Sequence, residues 1–172
     1  MKKIFLLGIV LMIASVTIVG CSKNQYNATI INGVEDWLQD DFLRENRVKA
    51  FYLNDNYVEG QTIPSDKYIR DTTSPSSRTV IISTQNEFDE KFINHPFDVD
   101  FDNEIIILYF FGDEYPNRDY KIEDINLDEQ TLNIYIELEN DSKKDAVMSY
   151  QRCILVKLKK TDFKTVNFIK TN

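Results

Sequence analysis

The sequence predicts an α+β fold, a mostly antiparallel sheet of about five to seven strands with two helices behind an N-terminal signal. Three stretches carry that reading. "EIIILYFF" (residues 104–111) is a continuous apolar run of strand length, the pattern of a central strand covered on both faces. "TLNIYIEL" (131–138) alternates, with Leu132, Ile134, Ile136 and Leu138 inward and Thr131, Asn133, Tyr135 and Glu137 outward, as in a half-buried antiparallel strand. "TQNEFDEKFINHP" (84–96) pairs Thr84 with Glu87 as a capping box. It then places Phe88, Phe92 and Ile93 on one helical face and stops at Pro96.

The elements follow in chain order. Lys2 and Lys3 precede the uncharged residues 4–20, the charged and apolar regions of an export signal. Ile18, Val19 and Gly20 stand directly before Cys21, and this resembles the bacterial lipobox. The resemblance implies cleavage between Gly20 and Cys21 and a diacylglyceryl group on the Cys21 thiol. Two acyl chains anchor stably where one holds only marginally. A transmembrane anchor and a plain secretory signal are the competing readings. The first wants about 20 apolar residues, and here glycines, Ser15 and Thr17 dilute a shorter stretch.

Residues 21–32 read as the lipidated cysteine and a polar tether. Asn32 and Glu35 form a capping pair for a helix over 34–46, with Val34, Trp37, Leu38 and Phe42 on one face. "VKAFYLNDN", from Val48, is a short strand ending in a turn, and 57–77 is a long connection with an extended piece at 67–70. Residues 33–78 thus form an N-terminal helix-strand segment with a long loop, and 79–172 the α+β domain. Its first strand is "TVIIS". The strand over 119–127 changes the parity of its apolar residues between Ile122 and Ile125, which predicts a β-bulge. A turn at 128–130 follows, and "RCILVKLKK" and "KTVNFIK" are the last strands.

Composition narrows the function. Acidic residues outnumber basic ones 28 to 20, and loss of Lys2 and Lys3 makes the mature chain two charges more acidic than the formal −8. A general nucleic-acid binder needs the opposite balance. With Cys21 lipidated, Cys153 has no disulfide partner, so the exported fold stands on packing alone. The abundance of Asn, Ile, Lys and Asp over Ala and Gly is that of low-GC Gram-positive bacteria, placing the chain on the outer face of the plasma membrane.

Residues 79–170 resemble the C-terminal domain of the PrcB-like proteins. The likeness lies in "TVIISTQNEFDEKF", in Asp100-Phe101 before "EIIILYFFGD", and in "SYQRCILVKLKK". That family tends to carry a Gly-rich turn after the central strand, where this chain has "GDEYPNRDY". The chain also resembles uncharacterised lipoproteins of low-GC Gram-positive bacteria, which bring no activity with them, and what the resemblance implies is a non-catalytic extracytoplasmic module serving a protein partner in the cell envelope.

Candidate chemistry is sparse, and no cofactor is expected. His95, the only histidine, sits at a helix end, where an imidazolium complements the dipole. Asp98, Asp100, Asp102 and Glu104 alternate in "DVDFDNE" and would share one face of an extended segment. Asp98, Asp100 and Asp102 are metal candidates, set against a solvated stretch before a strand. Counted from Asp98, the sixth residue is Asn103 and the twelfth Tyr109, so the loop is no EF-hand. Tyr109, Tyr115 and Tyr120, in and around a Pro-containing loop, are the candidate partner surface, set against a hairpin whose aromatics fold back on the sheet. Lys157, Lys159, Lys160, Lys164 and Lys170 form a local basic region. The leading expectation is a lipid-anchored binding or accessory module without catalysis. An envelope enzyme using Cys153, or the pair Asp113 and Glu114, and a structural spacer are the alternatives.

Overall fold

The computed structural model describes residues 25–60, 63, 67–114, 118–140 and 148–171. Among them nine strands and two α-helices form an α+β fold of three layers. The strands are β1 (Thr29–Asn32), β2 (Phe51–Leu53), β3 (Tyr68–Arg70), β4 (Ser77–Ile82), β5 (Glu104–Asp113), β6 (Asp119–Asp128), β7 (Thr131–Asn140), β8 (Tyr150–Lys159) and β9 (Thr165–Thr171). The helices are α1 (Asp40–Glu45) and α2 (Gln85–Lys91).

The larger sheet runs β3-β2-β8-β5-β4, and β1 also pairs β8. The whole of β8 pairs antiparallel with β5 on one side. Its other side is shared, β1 taking Ile154–Lys157 and β2 meeting Tyr150. The smaller sheet runs β6-β7-β9, with β9 parallel to β7.

The continuous apolar character of β5 has the cause expected of it. Ile105, Ile107 and Phe111 face the smaller sheet, packed with Ile125, Leu132, Ile134 and Ile136. Ile106, Leu108 and Phe110 face the helical layer, packed with Leu38, Phe42, Phe88 and Phe92. Val48 and Ala50 join this second cluster, so segment 33–78 shares its core with the rest of the chain. The β6 bulge falls between Ile122 and Asp124, which lets Ile122 and Ile125 both reach the core.

Thr84 caps α2 by accepting from the Glu87 N–H, and Glu87 returns a carboxylate to the Ser83 N–H at 2.9 Å. Phe88 and Phe92 are buried, but the helix ends at Lys91 and leaves Ile93 exposed.

Three local expectations are corrected. The helix over 34–46 is broken into a 3-10 turn (Glu35–Trp37) and α1, because Leu38 is extended and bridges Phe92. Flanking bonds from Gln39 N–H to the Lys91 carbonyl and from Ile93 N–H to the Trp37 carbonyl hold that break. Val34, Leu38 and Phe42 are nonetheless buried. Asn32 and Glu35 do not cap it: Asn32 lies in β1 and Glu35 reaches across to β8. The tether is also shorter than 21–32, since Tyr26 is already in the core and β1 is part of the sheet.

Candidate functional site

Tyr120, proposed as surface, is an interior residue. It is 5% exposed, and its hydroxyl donates to Asp113 Oδ2 at 2.7 Å at the end of β5. Arg118 pairs with the other Asp113 oxygen at 3.3 Å. Both Asn32 side-chain groups bond the Tyr120 backbone at 2.9 Å, fixing β1 against β6. Burial, then the hydrogen bond to Asp113, raises the Tyr120 phenol well above the ordinary tyrosine range.

Tyr109 lies between the sheets, stacked on Phe168 at 4.2 Å. Neither tyrosine offers a docking surface, because alternation along β5 and β6 turns each toward the core. Tyr115 lies outside the described residues, as do Gly20 and Cys21.

Cys153 is fully buried in β8, and burial pushes its thiol well above the ordinary range. Its backbone N–H donates to Glu35 Oε1 at 2.5 Å, and the same oxygen accepts from Arg152 Nε at 3.3 Å. Asp113 is buried and Glu114 exposed, so the two do not present a carboxylate pair to one space.

The acidic run is not an extended ladder. Residues 101–103 form a turn before β5. The Asp100 carboxylate there accepts from the Asp102 N–H at 3.1 Å and the Asn103 side chain at 2.8 Å. Those bonds, the Asn103 one foremost, hold the Asp100 carboxyl below its usual range. Glu104 pairs with Lys157 at 3.3 Å. Among the described residues no group of His, Cys, Asp and Glu is arranged to hold a metal ion. His95 lies beyond α2, its ring 4.4 Å from Phe88 and its Nδ1 2.7 Å from the Phe97 carbonyl oxygen. It therefore packs an aromatic cluster rather than capping a helix. The C-terminal lysines also part company: Lys157 pairs with Glu104, while the Lys170 ammonium sits 3.9 Å over the Phe111 ring.

Concave surface is found elsewhere, between α1 and α2 and on the β2–β3 hairpin. A groove of about 340 Å³ is lined by Arg47, Tyr52, Leu53, Ile69, Arg70 and Asp71, among others. A second groove of similar size shares Arg47, Tyr52 and Leu53 and extends toward Leu43 of α1. The Tyr52 hydroxyl sits 2.6 Å from Gln151 Oε1 and 2.7 Å from the Val48 carbonyl oxygen, which fixes the floor of the trough. Burial raises that phenol too.

Arg47 lies over the Tyr52 ring at 4.5 Å, Arg70 over Phe51 and Lys67 over Tyr68, each at 5.8 Å. The Asp71 carboxylate is consumed locally by the backbone and hydroxyl groups of Thr73 and Ser74, which hold it far below its ordinary range. Leu53 and Ile69 are 57% and 56% exposed. Both line the groove, two of the seven exposed large hydrophobics among the described residues.

The sequence pattern marks this site only by the extended piece "KYIR" (67–70), an apolar residue among charged and aromatic ones inside a long connection.

The fold and this trough define an α+β protein of three layers with an aromatic and cationic groove at one edge of its larger sheet. No family model, curated protein or solved structure matches the chain.

Proposed function

We propose that the protein is a lipid-anchored module on the outer face of the plasma membrane that binds a protein partner in the cell envelope and does no chemistry of its own. The observation that carries the binding half is the β2–β3 trough, lined by the exposed apolar side chains of Leu53 and Ile69. The anchoring half rests on the Ile18-Val19-Gly20-Cys21 sequence and on the buried position of Tyr26. From Cys21 to Tyr26 even a fully extended chain spans at most about 18 Å. A domain whose core starts so soon after a lipidated residue rides close against the bilayer. The PrcB-like resemblance of residues 79–170 points to the same non-catalytic role. Among the described residues no helix is long and apolar enough to cross a membrane.

The test is the mass and membrane partition of the full chain beside Cys21→Ala, with crosslinking in the same preparation. Loss of the leader, addition of a diacylglyceryl mass and a membrane fraction that depends on Cys21 are expected. A Cys21→Ala chain that stays in the membrane at uncleaved mass refutes the lipid anchor.

A further inference from the structure

The β2–β3 hairpin carries more than an apolar groove. The Asp71 N–H donates to the Ala50 carbonyl at 2.8 Å and the Asn54 N–H to the Lys67 carbonyl at 2.9 Å. These bonds flank the register Phe51↔Arg70, Tyr52↔Ile69, Leu53↔Tyr68. Bonded and non-bonded positions alternate along an antiparallel pair. Ile69 therefore turns its N–H and C=O toward Tyr52, and the main-chain groups of Tyr68 and Arg70 point to the opposite side. Among the described residues no strand pairs with that side, for β3 ends the sheet. An edge in this phase is a template for one more strand.

The charges around it select what that strand carries. Among the described residues Arg47, Lys67 and Arg70 make no ion pair, although each is held over an aromatic ring. Of the carboxylates lining the two grooves, Asp71 is engaged by its own turn and Glu35 by Cys153 and Arg152, while Asp40 lies on the α1 side and Asp55 in both. In a chain of formal charge −8, three cations without carboxylate partners beside an apolar groove are complementary to acid.

We infer that the open edge of β3 binds an extended acidic peptide segment of its partner. The peptide main chain pairs with Tyr68 and Arg70, an apolar side chain lies beside Ile69 on the Tyr52 face, and carboxylates alternating with it meet Arg70 and Lys67 on the face of Phe51 and Tyr68. This deepens the binding reading above and rests on it.

The test uses the full chain in detergent and a short blocked, fluorescent peptide of alternating glutamate and valine. Two control peptides accompany it: one with lysine in place of glutamate, and one N-methylated at alternate amides. Saturable binding of the glutamate peptide is expected, weakening with salt. It should fall at least about tenfold in a chain carrying Lys67→Glu and Arg70→Glu. N-methylation should abolish it, a result that no misfolding of a variant can produce. Equal binding of the lysine or N-methylated peptide, or no saturable binding at all, overturns the inference. So does self-association of the chain through β3, which would make a second copy the occupant.

A photocrosslinker at Leu53, compared with one at Ile81 on the opposite edge, separates this inference from the broader reading. A partner trapped only from Ile81 leaves a binding module and removes the β3 edge. No partner from either position, together with no peptide binding, removes both.

Discussion

Gly112, near the end of β5, is where the hairpin bearing the trough meets the rest of the sheet. A Cβ there would lie 2.6 Å from the Lys49 backbone oxygen and 2.7 Å from Ser149 Oγ. The hydroxyl can rotate away, but the carbonyl cannot yield so easily. Its residue is tied through Lys49 N–H to the Pro75 carbonyl at 2.8 Å, and Phe51 N–H holds the Ser149 carbonyl at 2.7 Å. Ordinary carbon–oxygen contact needs most of an ångström more, so Gly112→Ala must shift backbone at the start of β2. Overpacking of this kind costs about 1–3 kcal/mol, and a clash with pinned backbone belongs in the upper half of that range. For a domain of this size the melting temperature should drop by roughly 4–12 °C. Circular dichroism melts of the two chains provide the assay, and peptide binding at β3 should weaken in parallel because the hairpin is displaced. An unchanged melting temperature would show that the β5–β2 approach is not tight, and the reasoning fails.

Glu35→Ala removes the carboxylate that accepts from Cys153 N–H and Arg152, and should cost about 2–4 kcal/mol in urea denaturation; Glu35→Gln, keeping an oxygen for Cys153, should cost less. Thr84→Ala removes the α2 cap and should lower stability by about 1 kcal/mol, read as a shift of the urea midpoint. In alkali the native state keeps the Tyr120 proton longer than the unfolded chain does, so stability is level below about pH 10 and falls as pH rises beyond it. Tyr52 and Tyr109, also raised, add to the fall. Lys170, lowered by burial of its ammonium, opposes it, since there the unfolded chain holds the proton longer. Tyr120→Phe should flatten the alkaline decline in denaturation midpoints. In a Cys21→Ala chain, the buried thiol of Cys153 should react with a maleimide only after denaturant is added; rapid labelling of the folded chain would reopen a nucleophilic role.

Elements whose cause is local were legible. The period of β7, the apolar run of β5, the parity change in β6 and the Thr84–Glu87 box are each written in a few consecutive residues. The broken N-terminal helix was not legible, because a pairing between Leu38 and Phe92 outcompetes a good helical pattern. Local propensity is routinely overridden in this way. The same applies to Asn32 and Glu35, whose partners Tyr120 and Cys153 lie 88 and 118 positions away. Tyr109 and Tyr120 fall within the strands expected over 104–111 and 119–127, but the direction each ring takes depends on the distant sheet packed against it, which a local pattern does not reveal. The β2–β3 trough was not legible either, since its strands are short and its walls come from several segments.

The topology of β8 relates the anchor to the trough. β1 pairs with β8 from Ile154 to Lys157, whereas β2 meets it at Tyr150. Between Lys157 and Tyr150 a strand rises by about 23 Å. The first residue of β1 and the start of the hairpin therefore lie toward opposite ends of one strand. On the proposed anchor, the short reach from Cys21 to Tyr26 keeps the β1 end near the lipid. That arrangement turns the β2–β3 edge away from the bilayer, where a segment of an envelope protein can lie along it without displacing headgroups. A lengthened tether would loosen this orientation but leave the edge chemistry intact. Peptide affinity measured in detergent should then be insensitive to residues inserted between Cys21 and Tyr26, while crosslinking to a membrane-fixed partner should depend on them.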